Sequence, residues 1–335
     1  MPAKKSPAKA RFLELILPAT SANLGPGFDA AAIAMGLVLK VRAAGADKFS
    51  IKATGRDPEI CGRLENHLIV TTYREILEAE GKPVVPLALL VDNDIPIGKG
   101  CGSSAAARLA GIALAVHFGR LPWNDGRIVG EASRREHHPD NAAACWLGGL
   151  TVARMMGETE AQVAQIAPKG KWPLLLAIPP EPLSTEEARR VLPTHYSRAD
   201  AVTNIQNSML LLAAFVQGRP DLLTSALEDR IHQPYRAALC PLLPALQELV
   251  ATSSRMARPG SAWAGESRSG VLGAVLSGAG PSVLVFVDPV ANVTSVKRKV
   301  AAHLRERGLA AELILTSIRS IGAAQEKGWK QRKGK

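Results

Sequence analysis

The sequence predicts an α+β protein of two domains. Its 335 residues, 47% of them hydrophobic, can bury more than one modest core. Strand-like and helix-like segments are mixed without the regular alternation of a doubly wound sheet. Between a strand-like run and an alanine-rich helical run stands IPIGKGCGSSAAARLAGIALA, Ile95 to Ala115, rich in glycine and serine.

Taken in order, residues 11–20 alternate apolar and polar and predict a strand ending at Pro18. Residues 21–36 read as a loop around Gly25, Pro26 and Gly27, and residues 37–43 and 48–54 as strands. Helical spacing covers 66–80 and stops at Gly81. Residues 85–96 form a strand leading into the glycine loop, and a helix follows, capped by Ser103 or Ser104. A further helix over 124–136 breaks near His137, His138 and Pro139, and strands are predicted over 148–156 and 172–180. Beyond Lys171 come a short helix over 184–192 with the capping box Ser184 and Glu187, and helices over 198–218, 220–227 and 241–254. Residues 270–288 hold two strand-like runs about a glycine turn, and a helix over 293–308 and a strand over 309–318 close the pattern. The expected division is a basic tail 1–10, an N-terminal domain 11–170, a C-terminal domain 171–322 and a basic tail 323–335.

The net charge of +11 sits mostly at the ends. Lys4, Lys5, Lys9 and Arg11 at one end, and Lys327, Lys330, Arg332, Lys333 and Lys335 against Glu326 at the other, account for +8 and leave +3 for the remaining 314 residues. Solvated tails explain this, and with only 4% aromatic residues a base-stacking nucleic-acid surface is disfavoured. Cys61, Cys101, Cys145 and Cys240 lie too far apart for a zinc motif or a disulfide framework. No window reaches the roughly 18 apolar residues of a membrane helix, so a cytoplasmic protein is expected.

The glycine loop is not a Walker A motif, because Lys99 is followed by Gly100 and not by Ser or Thr. Gly100, Gly102 and Ala105 satisfy a relaxed dinucleotide fingerprint, but the acid it needs would be Asp125, in a turn and not at a strand end. What the residues do support is an anion site. Glycines let backbone amides approach, a helix start adds its positive dipole end, and the hydroxyls of Ser103 and Ser104 suit phosphate or Mg2+. The segment alone also fits a tight turn whose glycines serve packing.

PIGKGCGSSAAA resembles the P-x-G-x-G-x-G-S-S-A-A phosphate loop of the GHMP kinases, the superfamily of galactokinase and the homoserine, mevalonate and phosphomevalonate kinases. PATSANLGPGFDAAAIAM at Pro18 resembles the superfamily's first motif in its homoserine kinase form, and LSGAGPSVLVFV at Leu276 its third. The resemblance implies ATP-dependent phosphoryl transfer, an N-terminal domain like ribosomal protein S5 domain 2, a ferredoxin-like C-terminal domain and a site in the cleft between them. It places Pro96, Gly98, Lys99, Gly100, Cys101, Gly102, Ser103, Ser104 and Ala105 on ATP, Asn66 at the adenine, and Ser104 and Glu131 on Mg2+. Gly278, Gly280 and Ser282 belong to the third motif.

The acceptor is indicated elsewhere. Homoserine carries an ammonium, a carboxylate and a primary hydroxyl, so its pocket needs an acid, arginine and polar neighbours. By resemblance, Asp29 takes the ammonium, Asn23 hydrogen-bonds the substrate, Arg189 in STEEARRVLP and Arg236 in DRIHQPYR take the carboxylate, and His138 contacts substrate. Asp140 and Asn141 lie near the reacting hydroxyl in HHPDNAAACWLGGL. Whether Asp140 is a base or the hydroxyl proton passes directly to the phosphate stays open. Shikimate and mevalonate lack the ammonium. The alternatives are a sister kinase for one of these or a sugar, and a nucleic-acid-binding protein built on an S5-like domain; a homodimer also stays open. The chain departs from the pattern where Glu131 stands closer to His138 than usual, Cys101 replaces leucine, Ala144 proline and Ser282 threonine.

Overall fold

The computed structural model of the chain describes residues 12–254 and 270–329. The expected tail 1–10 and residues 330–335 of the expected tail 323–335 lie outside the described residues, but 323–329 do not form a tail: Ala323, Ala324 and Trp329 are buried, and Trp329 packs edge-on against Trp146. No helix among the described residues is long and apolar enough to cross a membrane.

Two sheets organise the chain. The first contains β1 (Phe12–Ala22), β2 (Ala31–Gly45), β3 (Ser50–Gly55), β4 (Leu87–Asn93), β5 (Leu150–Met155) and β6 (Ala161–Ile166), ordered β3-β4-β2-β5-β6 with β1 also on β2. Only the β3–β4 pair is parallel. The second contains β7 (Pro173–Ile178), β8 (Val271–Leu276), β9 (Val283–Val287) and β10 (Glu312–Ser317), wholly antiparallel in the order β10-β7-β9-β8. With helices between β7 and β8 and between β9 and β10, that order is the ferredoxin-like split β-α-β. A bridge from Met35 to Ile318 joins the sheets, and one core runs through both, from Leu15 and Ile33 to Trp172, Leu174 and Phe215.

Some elements differ from the sequence pattern for identifiable reasons. β1 does not end at Pro18, because a register shift between Pro18 and Thr20 absorbs the missing N–H and pairing resumes at Thr20 with Ala34. The expected loop 21–36 is therefore only its glycine portion, and β2 already begins at Ala31. The helix Asp140–Leu147 carries no helical periodicity, since Asp140 to Trp146 are all buried and no polar face alternates with an apolar one.

The Ser103–Phe118 helix is nearly enclosed, which explains its run of alanines. Neither Ser103 nor Ser104 caps it. The cap residue is Gly102, in a left-handed conformation with φ 72° and without a side-chain cap. A Cβ at Gly102 would lie 1.9 Å from Thr20 Oγ1, so both backbone angle and space demand glycine there.

Candidate active site

The three glycine-containing segments meet at one cleft. Thr20 N donates to the Cys101 carbonyl at 3.0 Å and Gly278 N to the Ala22 carbonyl at 3.1 Å. Asn23 Nδ2 donates to the Gly278 carbonyl at 2.8 Å, and Ser277 Oγ to the Gly100 carbonyl at 2.8 Å. A Cβ on Gly100 would sit 2.2 Å from the Ser277 carbonyl oxygen. The third segment thus holds the other two in place.

The resulting cavity, of about 540 Å³, is lined by Asn23, Asp29, Asn66, Gly98, Gly100 to Ala105, His138, Asp140, Asn141, Arg189, Arg236, Gly278 and Gly280. At one end the glycine loop and the start of the Ser103–Phe118 helix present backbone amides and the positive helix end, an arrangement suited to phosphate. The Cys101 thiol faces the core, and burial pushes it up to about 12, so it packs and does not react.

Four expected positions lie off this wall. Pro96 and Lys99 border a separate hollow with Arg56 and Glu312, and Lys99 Nζ is engaged by the Pro180 carbonyl. Ser282, at the end of the third segment, is fully buried and does not reach the cavity. Glu131 is the clearest correction. It is 5% exposed and ion-paired by Arg134 at 2.8 Å, by Arg127 at 3.8 Å and by Arg135, which leaves it no face for a metal.

Glu136, and not Glu131, faces the cleft. Its Oε1 accepts from Ser104 Oγ at 2.6 Å and from Arg108 Nε, and it lines the cavity. Both glutamates belong to the Asp125–Glu136 helix, but five residues of helix turn a side chain by about 140°. The Ser104 hydroxyl and the Glu136 carboxylate are adjacent hard oxygen donors of the kind Mg2+ takes, so the residues present fit that ion.

The opposite end carries paired charges. Arg189 makes two hydrogen bonds to Asp29, at 2.8 and 3.1 Å, with both side chains half-buried. Asp29 has φ 53°, and its N–H donates to Asn23 Oδ1 at 2.9 Å, which turns its carboxylate into the cleft. Arg236 is 1% exposed; Nε donates to the Ala188 carbonyl at 2.9 Å and an NH group to His232 Nδ1 at 3.2 Å. Phe28 lies under both guanidiniums, 5.7 Å from Arg189 and 5.4 Å from Arg236. His232, to which no role is assigned from the sequence, donates from Nε2 to the Gly25 carbonyl at 2.9 Å and ties the loop to Arg236. Burial lowers its pKa, and the Arg236 charge adds to this against Asp229, so it is the neutral imidazole that bridges them.

Between the two ends, His138 Nδ1 donates to Asp140 Oδ1 at 2.6 Å, and the Asn141 N–H shares that oxygen at 2.6 Å. Burial would lower the His138 pKa, but the Asp140 hydrogen bond and the charges of Asp140 and Asp29 overcome it and raise the value. Asn141 Oδ1 accepts from Thr20 Oγ1 at 2.6 Å. Asp29, His138 and Asp140 offer ligand atoms within 4.8 Å of one another, and the first two are engaged with Arg189 and Asp140 respectively.

An amide-lined phosphate end and a charged acceptor end on one cleft, set between an S5-like sheet and a ferredoxin-like sheet, give the class: a small-molecule kinase. Comparison with known proteins narrows it. Residues 67–149 match the family described as GHMP kinases N terminal domain. Homoserine kinase of Solibacter usitatus is 39% identical over 94% of this chain and 97% of its own, and that of Deinococcus radiodurans 31% over 95% and 98%. The crystal structure of homoserine kinase from Cytophaga hutchinsonii superposes with a TM-score of 0.75 at 20% identity, covering 96% of this chain and 99% of its own, and so shares the fold. The chain belongs to the homoserine kinase family of the GHMP kinases.

Proposed function

We propose that the protein transfers the γ-phosphoryl group of ATP to the side-chain hydroxyl of L-homoserine, giving O-phospho-L-homoserine for threonine biosynthesis. The observation that carries this reading is the Asp29–Arg189 pair, with Arg236 behind it, in the same cavity as the phosphate loop. Opposite charges held side by side complement an amino-acid zwitterion, whereas a neutral sugar has no use for them.

In this reading residues 11–170 carry ATP and residues 171–322 bring Arg189 and Arg236 to the acceptor. Loop amides from Gly98 to Ser104 hold the phosphates, and Asn66 stands at the adenine end. Ser104 and Glu136 would hold Mg2+, which would neutralise phosphate charge when bound. Asp29 takes the ammonium, Arg189 and Arg236 the carboxylate, and Asn23 and His138 flank the acceptor. The hydroxyl oxygen bonds to the γ-phosphorus as the bond to the β,γ-bridging oxygen breaks, and the hydroxyl proton passes to the transferred phosphoryl group. Asp140 is already committed to His138 and the Asn141 N–H, which supports a transfer driven by positioning and charge and not by a strong base.

The test is ATP consumption with Mg2+ and homoserine, shikimate, mevalonate or galactose, with the product identified by phosphorus NMR. Turnover is expected with homoserine. Turnover with another acceptor and none with homoserine would overturn the substrate while sparing the family.

A further inference from the structure

We propose that Thr20 is a positioning residue for phosphoryl transfer: its hydroxyl fixes the Asn141 carboxamide so that the NH2 group, and not the carbonyl oxygen, is presented to the reacting atoms. The inference rests on the homoserine-phosphorylating reading and assigns a chemical role within that site.

Thr20 is fully buried on the stretch of β1 that resumes after the Pro18 irregularity. Its backbone N–H is taken by the Cys101 carbonyl, so the phosphate loop fixes where its side chain starts. Its Oγ1 lies 2.6 Å from Asn141 Oδ1, across 121 residues of sequence. An amide oxygen has no proton to give, so the hydroxyl must donate and Asn141 must accept. With its oxygen held, Asn141 turns its nitrogen toward the cavity it lines. A Cβ at Gly102 would reach to 1.9 Å from Thr20 Oγ1 and 3.2 Å from Asn141 Oδ1. Hydroxyl, carboxamide and the cap of the phosphate-binding helix are therefore in mutual contact.

An NH2 group in that position donates to oxygen and cannot remove a proton. It can hold the acceptor hydroxyl oxygen or an oxygen of the transferred phosphoryl group, where donors already in place favour the transition state. Without the hydroxyl the carboxamide is free to rotate about its last torsion and to present its oxygen, which repels phosphoryl oxygens.

The test compares Thr20→Val, which keeps the branched shape, with Thr20→Ser, which keeps the hydroxyl, each alone and combined with Asn141→Ala. Thr20→Val is expected to lower kcat by about 10–100-fold, less than the roughly 100–1,000-fold cost of deleting an oriented donor, because the carboxamide is loosened and not removed. KM for homoserine and ATP should stay within about threefold and Tm near wild type, while Thr20→Ser stays close to wild type in kcat. In the Asn141→Ala background Thr20→Val should cost nothing further. Thr20→Ala gives the same comparison should valine not fold. An undiminished kcat in the valine and alanine variants, or an equal loss with and without Asn141, overturns the inference. Wild-type protein that fails to phosphorylate homoserine overturns the underlying reading before the variants are compared.

Discussion

The Arg189 guanidinium and the Asp29 carboxylate, 160 residues apart in sequence, close on each other through two parallel hydrogen bonds of 2.8 and 3.1 Å. The pair satisfies both charges before any substrate arrives. An incoming zwitterion can match each partner with its opposite, so the pair is exchanged for contacts of the same kind and neither charge is left bare. A ligand with only one charge lacks that exchange.

Acceptor discrimination follows. 4-Hydroxybutyrate, which keeps the hydroxyl and carboxylate of homoserine but lacks the ammonium, should show kcat/KM lower by at least about 100-fold. Asp29→Asn should raise KM for homoserine by about 10–100-fold while narrowing that preference. Arg189→Lys should behave more like Arg189→Ala than like wild type, because an ammonium cannot reproduce the forked contact. Steady-state kinetics with both acceptors decides this, and equal use of the two would remove Asp29 from ammonium recognition.

The two glutamates of the Asp125–Glu136 helix should separate cleanly. Glu136→Gln should raise the Mg2+ concentration needed for half-maximal activity by about tenfold or more, with little loss of Tm. Glu131→Gln should leave the Mg2+ requirement near wild type but lower Tm, since largely buried Arg135 is left with only the longer contact to Glu75, while half-exposed Arg134 is taken up by solvent. Mg2+ titration and thermal melts of both variants give the answer. The opposite pattern would return the metal to Glu131.

Much of the architecture was legible because the patterns that report it are local. Alternation marks β1, a continuous apolar run marks β7, a sustained apolar period marks the Leu68–Ala79 helix, and the strand, glycine loop and helix around residue 100 announce themselves. The helix Asp140–Leu147 was not legible, because a wholly buried helix has no polar stripe to reveal its period. At the site, residues inside a dense motif such as Asn23 and Asp29 could be named from the sequence. Glu136 could not, because which of two acids on one helix faces the cleft depends on a rotation that packing sets. Lys99 lies inside the phosphate-loop motif yet its side chain leaves for the Pro180 carbonyl, a choice made by a segment 81 residues away. Thr20 acts through a side chain 121 residues away that nothing in its spacing signals, whereas His232 stands four residues before Arg236 in DRIHQPYR.

His138 should titrate above the ordinary histidine value of about 6.5, because Asp140 and Asp29 outweigh its burial. A folded-state pKa raised above the unfolded one means its contribution to stability is fully present below the unfolded value and is lost as pH rises through the higher folded value. Asp140→Asn removes the charge and leaves the burial, so the midpoint should fall. An NMR titration of the imidazole Cε1–H resonance follows it directly. A His138 midpoint unmoved by that substitution would mean that Asp140 does not set its protonation.

The same substitution tests the proton's route. If the homoserine hydroxyl loses its proton to the phosphoryl group, Asp140 contributes by holding His138 and the start of its helix. Asparagine retains an oxygen that can accept from either. Asp140→Asn should then lower kcat by less than about tenfold, below the roughly hundredfold at which general-base contributions begin. The dependence of kcat on pH should keep its shape on the acid side, because no carboxylate need be ionised for the step itself. A fall beyond about a thousandfold, with KM for homoserine and ATP unchanged, would make Asp140 the base and overturn the direct route.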